Sequence, residues 1–296
     1  MSKQTLQLHG VLVALTTPFT DDGSRIDVLR LKSHIDRLLD AGVHGLVPGG
    51  STGEFTALSF DERKYLLEQV IEITHGRVPV VAGIGCLSTK DDIEMARHAS
   101  RVGASAVMVV PPFYDPPDYE QLKDLMKEIH QASNGLPIVY YNIPGASGVK
   151  LSPSEIAGLS EVGVKYLKDT SGDGPALTEL IFGHGDEITT FNGWDTLTFY
   201  ALASGCKGCV WGASNVIPEL TVQLWETLAV KKDLEAARQL WKKIWPVCAF
   251  LERHNYAAAV KTAMEVQGHQ TGGVRKPIQL LAEKHRDEVK TLLANV

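Results

Sequence analysis

A lysine at position 168 sits inside a short, mostly apolar run, Val164-Lys-Tyr-Leu-Lys-Asp-Thr-Ser171. Read as a β-strand, the run places Val164, Tyr166, Lys168 and Thr170 on one face and Lys165, Leu167 and Asp169 on the other. If the first face lines a confined apolar interior, desolvation disfavours the ammonium and leaves a fraction of nucleophilic amine. Such an amine can condense with a ketone, and the resulting iminium is an electron sink. The competing reading is a surface lysine paired with Asp169. Gly50-Ser51-Thr52-Gly53 joins small residues, two hydroxyls and backbone N–H groups that can cradle a carboxylate, or it is a plain strand-to-helix turn. Tyr141 can carry protons to a reacting oxygen if its hydroxyl reaches Lys168; otherwise it is a core tyrosine with a satisfied hydroxyl.

These residues need a scaffold that gathers them at one rim. Eight short apolar or β-branched runs recur along the chain: 10–19, 45–50, 78–85, 106–112, 137–144, 164–171, 187–194 and 208–214. Most end in Gly, Pro, Ser or Thr, where strands stop and turns begin. Helically spaced segments lie between them, including 26–39, 60–74, 91–101, 119–132, 153–159, 175–182 and 194–203. Ser59-Phe-Asp-Glu62 is a capping-box pattern opening the second of these. Strands alternating with helices predict a closed (β/α)₈ barrel, whose active sites form from the loops after the strands. A doubly wound open sheet is the rival, weakened because no glycine-rich dinucleotide loop follows the first run. Four further helical segments, 220–230, 234–253, 256–267 and 278–294, predict a C-terminal extension. The expected division is 1–215 for the barrel and 216–296 for helices packed on it.

The bulk properties narrow the partners. The chain has 296 residues, of which 44% are hydrophobic and 22% charged, with a formal net charge of −6. This composition argues against disorder and against a general nucleic-acid or anionic-membrane binder. Four cysteines are too few for a disulfide framework in a chain of this size. No cleavable signal pattern and no run of ~18 apolar residues is present, so the expected compartment is the cytoplasm.

Gly50-Ser-Thr-Gly-Glu54, Tyr141-Asn-Ile-Pro144 and Leu167-Lys-Asp-Thr-Ser-Gly-Asp173 together resemble the dihydrodipicolinate synthase/N-acetylneuraminate lyase family of class I aldolases. Their order and spacing, and the helical tail, extend the resemblance over essentially the whole chain. It implies that Lys168 forms an imine with pyruvate or another 2-oxo acid, that Ser51 and Thr52 bind its carboxylate, and that Tyr141 is the general acid/base. Ser51 would pass protons towards Tyr141, and Tyr114 would complete the relay, often from a neighbouring subunit. The resemblance therefore implies an oligomer, commonly a tetramer of dimers, and neither a metal nor an organic cofactor. Gly50, Asp195, Val210 and Trp211 are further candidates for lining the substrate pocket.

Several departures bear on the substrate. In dihydrodipicolinate synthases the loop after the tyrosine motif carries an arginine that pairs with the aldehyde substrate's carboxylate. Here Ala146 stands at that position, which weighs against this activity. The sialic acid lyases have an acidic pair after the seventh strand and a serine after the eighth; here Thr196 follows Asp195, and Gly212 replaces the serine. Asp195 can hold a substrate hydroxyl or cap the following helix. Trp211 can wall the pocket or pack at the barrel rim. By elimination the favoured substrate is a 2-keto-3-deoxy sugar acid or a 4-hydroxy-2-oxo acid, cleaved or dehydrated. The alternatives are an authentic dihydrodipicolinate synthase and, from another class, a non-catalytic 2-oxo acid sensor or scaffold. Cys206-Lys-Gly-Cys209 lacks a second ligand pair and reads as strand packing. His254 and His269 read as surface or subunit-contact residues.

Overall fold

The computed structural model describes residues 7–296. The first six residues, the start of the stretch read above for a signal, lie outside the described residues. Eight strands fall inside the eight apolar runs: β1 (Gly10–Ala14), β2 (Gly45–Val47), β3 (Val81–Gly83), β4 (Ala106–Val109), β5 (Ile138–Asn142), β6 (Val164–Asp169), β7 (Thr189–Asn192) and β8 (Gly208–Trp211). They form one parallel sheet in the order β2-β1-β8-β7-β6-β5-β4-β3. A parallel bridge between Leu46 and Val80 brings the two ends together, so the sheet is a nearly closed barrel.

The helices between strands are α1 (Val28–Asp40), α2 (Phe60–Thr74), α3 (Thr89–Val102), α4 (Tyr119–Ala132), α5 (Pro144–Ser147), α6 (Pro153–Gly158), α7 (Gly174–Gly183) and α8 (Thr198–Ala203). After β8 come α9 (Pro218–Trp225), α10 (Leu234–Glu252), α11 (Tyr256–Val266) and α12 (Glu283–Leu293). The fold is thus a (β/α)₈ barrel with C-terminal helices. Ser59 and Glu62 make the expected capping box on α2, each side chain bonding the other's backbone N–H. No described helix is long and apolar enough to cross a membrane.

Strand parity sorts the core into two layers. Leu12, Val81, Met108, Tyr141, Phe191 and Val210 pack inside the barrel, while Val11, Val13, Val107, Tyr140 and Leu167 face the helices. Val164 departs from the predicted alternation. The β5–β6 register steps from Ile138↔Val164 to Val139↔Tyr166. The extra residue is a bulge that sends Val164 to the helix-facing layer and leaves Tyr166 facing inward. The final helix also begins later than the predicted 278, at Glu283. Leu281 donates its N–H to Thr262 Oγ1 (3.0 Å), tying the preceding segment to α11.

One buried ion pair ties the extension to the barrel. Glu54, just after the Ser51-Thr52 turn, has the left-handed φ of 57° that few non-glycine residues adopt. Its carboxylate meets Lys261 Nζ of α11 at 2.5 Å, with the two side chains 2% and 0% exposed. Lys261 also donates to the Gly273 carbonyl (2.7 Å), and the Arg275 backbone N–H donates to Glu54 (3.0 Å). The Arg275 guanidinium forks onto Glu62 (2.7 and 2.5 Å). Removing one partner of such a pair strands a buried charge. Lys261→Met is expected to lower unfolding free energy by roughly 3–5 kcal/mol in denaturant titration. The Lys261→Met/Glu54→Gln double variant should recover part of that loss.

Candidate active site

Lys168 is 4% exposed and points into the barrel mouth. Its register neighbour on β5 is Tyr141, whose ring centroid lies 3.8 Å from Nζ, so the amine sits on the ring's electron-rich face. Asp169 points the other way and is held by Asn142 Nδ2 (2.7 Å) and Ser171 Oγ (3.0 Å). The surface ion-pair reading of Lys168 therefore fails. The space Lys168 occupies is left by Gly193 after β7. A Cβ there would stand 2.8 Å from Lys168 Cε and would overlap the Thr170 hydroxyl.

Ser51 and Thr52 begin a 3-10 turn, Ser51–Gly53, after β2. Thr17 Oγ1 anchors it by donating to the Gly53 carbonyl (2.7 Å). Both hydroxyl residues line the same cavity as Tyr141, Lys168, Asp195 and Val210, a space of about 240 Å³. Gly50 is buried behind the turn, with Met108 Cε 3.3 Å from where its Cβ would be.

The wall facing this group comes partly from beyond the barrel. Asp195 is 4% exposed. It is the first residue of a 3-10 turn in which its carboxylate is not the cap. Instead it accepts a hydrogen bond from Tyr256 Oη (2.6 Å), at the start of α11. Glu252, the last residue of α10, also lines the cavity. Its two oxygens accept from Thr196 N–H (3.0 Å) and Thr196 Oγ1 (2.8 Å). Lys168 is the sole cationic side chain among the described residues lining the cavity. Burial, reinforced by the Glu252 charge and opposed by the Tyr256 hydrogen bond, pushes the Asp195 carboxyl up to about 7.

A family model for the dihydrodipicolinate synthetase family matches residues 7–296. The chain belongs to that family. Among its relatives, a 4-hydroxy-tetrahydrodipicolinate synthase of Methanopyrus kandleri is 37% identical, over 97% of this chain and 94% of that protein. An uncharacterised DapA-like lyase of Halobacterium salinarum is 36% identical over 100% and 96%. Among solved structures, the dihydrodipicolinate synthase of Acinetobacter baumannii complexed with pyruvate superposes with a TM-score of 0.93 at 30% identity, covering 98% of this chain and 99% of that one. YagE of Escherichia coli K12, in complex with pyruvate, gives 0.90 at 27% identity, covering 98% of each. As a family member the protein is a class I aldolase-type lyase.

Two candidates from the sequence lie elsewhere in this synthetase-family chain. Trp211 was a candidate pocket wall, but it follows the inward Val210 and so faces outward, 1% exposed, with its ring 6.4 Å from that of Trp241. Tyr114 is 83% exposed and outside the cavity of its own chain. Ala146 lies exposed on α5, also outside the cavity. Burial pushes the Cys206 thiol up to about 12 and Cys209 well above its usual range, which disfavours the thiolates a metal would need. The one possible ligand cluster among the described residues is His254, His285 and Glu288; none of them lines the cavity, and Glu288 is already paired with Arg253 at 2.7 Å.

Tyr256 and Glu252 were missed because nothing local marks them. Their single sequence-level sign was Gly212. A Cβ there would overlap the Tyr256 ring, coming within 2.8 Å of Cζ.

The raised Asp195 carboxyl has a thermodynamic consequence. Its ordinary value is 3.8, so between roughly pH 4 and 7 the folded state binds more proton than the unfolded state, and stability falls as pH rises. Asp92, also pushed up to about 7 mainly by burial, titrates in that window in wild type and variant alike. The expected outcome is therefore a difference: relative to Asp195→Asn, the wild type should lose up to ~4 kcal/mol between pH 4 and 7. Unfolding titrations of both proteins across that range measure it.

Proposed function

We propose that the protein is a Schiff-base lyase acting on a 2-oxo acid, with Lys168 as the imine-forming residue. The observation that carries this reading is the burial of the Lys168 amine in a cavity, against the Tyr141 ring and beside two hydroxyl residues. In this reading the amine adds to the C2 carbonyl, and loss of water leaves an iminium. A base then takes the proton from the C4 hydroxyl, the C3–C4 bond breaks, and its electron pair moves into the iminium to give an enamine. Protonation at C3 and hydrolysis release pyruvate and regenerate the amine. Loss of the C3 proton followed by departure of the C4 hydroxyl as water is the dehydratase variant of the same chemistry.

Ser51 and Thr52 hold the C1 carboxylate in this assignment, and Tyr141 is the general acid/base. Tyr114, exposed in the single chain, is assigned to the relay of a neighbouring copy, making the working unit an oligomer, a tetramer by the family pattern. The favoured substrates are a 2-keto-3-deoxy sugar acid or a 4-hydroxy-2-oxo acid. Ala146 offers no cation for a second substrate carboxylate, and Lys168 is the sole cation among the described lining residues. The second reading is 4-hydroxy-tetrahydrodipicolinate synthase, favoured by the names of several relatives. Turnover of pyruvate with aspartate semialdehyde in a coupled assay would select it.

Borohydride reduction in the presence of pyruvate should leave a mass-mapped adduct on Lys168, and Lys168→Ala should lose both adduct and turnover. No adduct with pyruvate or a panel of 2-oxo acids would overturn the mechanism. Tyr141→Phe should fold normally and turn over roughly 10²-fold more slowly or worse, as expected when a positioned proton donor is removed.

A further inference from the structure

We propose that the corner between α10 and α11 forms the subsite for the non-reacting end of the substrate, and that this subsite accepts a neutral, hydroxyl-bearing tail and rejects a carboxylate-bearing one. The inference rests on the 2-oxo acid lyase reading above and adds the residues that choose among such acids.

Glu252 and Tyr256 are separated by only three residues, and Asn255 caps α11 by accepting from the Ala258 N–H. The corner is therefore a fixed turn that presents both side chains to the barrel mouth. Two positions that looked like losses from the sequence are what seat them. Thr196 holds both oxygens of Glu252, and its hydroxyl also accepts from Trp194 Nε1 (3.1 Å). Gly212 leaves the volume that the Tyr256 ring fills. The acidic pair absent from adjacent sequence positions is thus assembled from Asp195 on the barrel and Glu252 on the extension.

The chemistry of this wall points to one class of tail. A carboxylate offers about four acceptor positions, of which Glu252 uses two on Thr196. Substrate hydroxyls can donate to the remainder. A second carboxylate would instead meet Glu252, and Asp195 in its ionised form, with no further cation to offset it, because the charge on the Lys168 iminium already faces the C1 carboxylate. Repulsion between like charges in a site this enclosed is costly.

The test compares two aldehydes in the condensation direction with pyruvate: glyceraldehyde, which is neutral and hydroxylated, and aspartate semialdehyde, which carries a carboxylate. Pyruvate alone has no tail, so its borohydride adduct on Lys168 reports the imine-forming half of the site separately. Wild type should prefer glyceraldehyde in kcat/KM. Tyr256→Phe and Glu252→Gln should each lower that preference at least about tenfold, mainly through the aldehyde KM, and Gly212→Ser should do the same by displacing the Tyr256 ring. The pyruvate adduct in each variant checks that the barrel is folded. An intact adduct with an unchanged aldehyde ratio in all three variants would overturn this inference alone, as would wild-type preference for aspartate semialdehyde. Absence of the adduct in wild type would overturn the lyase reading and this inference together.

Discussion

The arrangement of the barrel mouth depends on keeping one primary amine inside an apolar cylinder. Withdrawing an ammonium from water is expensive, and the fold offsets that cost with groups that do not neutralise the amine outright. The Tyr141 ring presents its electron-rich face to Lys168, and Asp195 lies close enough to feel its charge. The strongest neutraliser in sequence, Asp169, is turned away by strand parity and bonded to Asn142 and Ser171. Because parity is a property of the whole strand, the β6 bulge matters as well. It absorbs one residue below Tyr166, so that Lys168 arrives at the rim on the inner face.

The rest of the site can be understood as two halves with different origins. Strands β2, β5 and β6 bring the hydroxyls, the phenol and the amine to one side of the cavity. The opposite wall combines Asp195 after β7 with Glu252 and Tyr256, which belong to helices that have already left the barrel. Contacts on both sides of the cavity fix the C-terminal helices to the barrel. The Tyr256–Asp195 hydrogen bond does so inside the cavity, and the Glu54–Lys261 ion pair does so behind the Ser51-Thr52 turn. Glu54 is therefore more than the end of a motif. Its left-handed backbone turns the chain so that its carboxylate reaches α11, and the turn that carries Ser51 is bound to the extension through it.

Much of this was legible in the sequence. All eight strands and the α2 capping box follow from local periodicity and end signals, because each depends on residues close together in the chain. Periodicity also paired Lys168 with Tyr166 on one face, but the motifs shared with the family, rather than the alternation, pointed to that face as the inner one. Tyr256 and Glu252 depend on how a helical corner meets a strand end, and no local pattern encodes such a meeting. Gly212 carried the signal in negative form, as missing volume whose occupant could not be named. Trp211 shows a different limit. Parity within Gly208–Trp211 would have turned it outward once Val210 was assigned to the interior, yet an aromatic beside a pocket invites the opposite reading. Val164 was misplaced because a bulge is set by the pairing of two strands and is invisible in either one alone.

The ion pair between Glu54 and Lys261 also has a consequence for the order of events on the ribosome. Synthesis delivers Lys168 and every barrel strand before Glu252, Tyr256, Lys261 or Arg275 has been made. A nascent barrel would therefore hold its amine in a cavity open on one side, with the Glu54 carboxylate still without its partner. The last quarter of the chain closes both gaps together, so the completed cavity wall appears only once translation has passed Lys261.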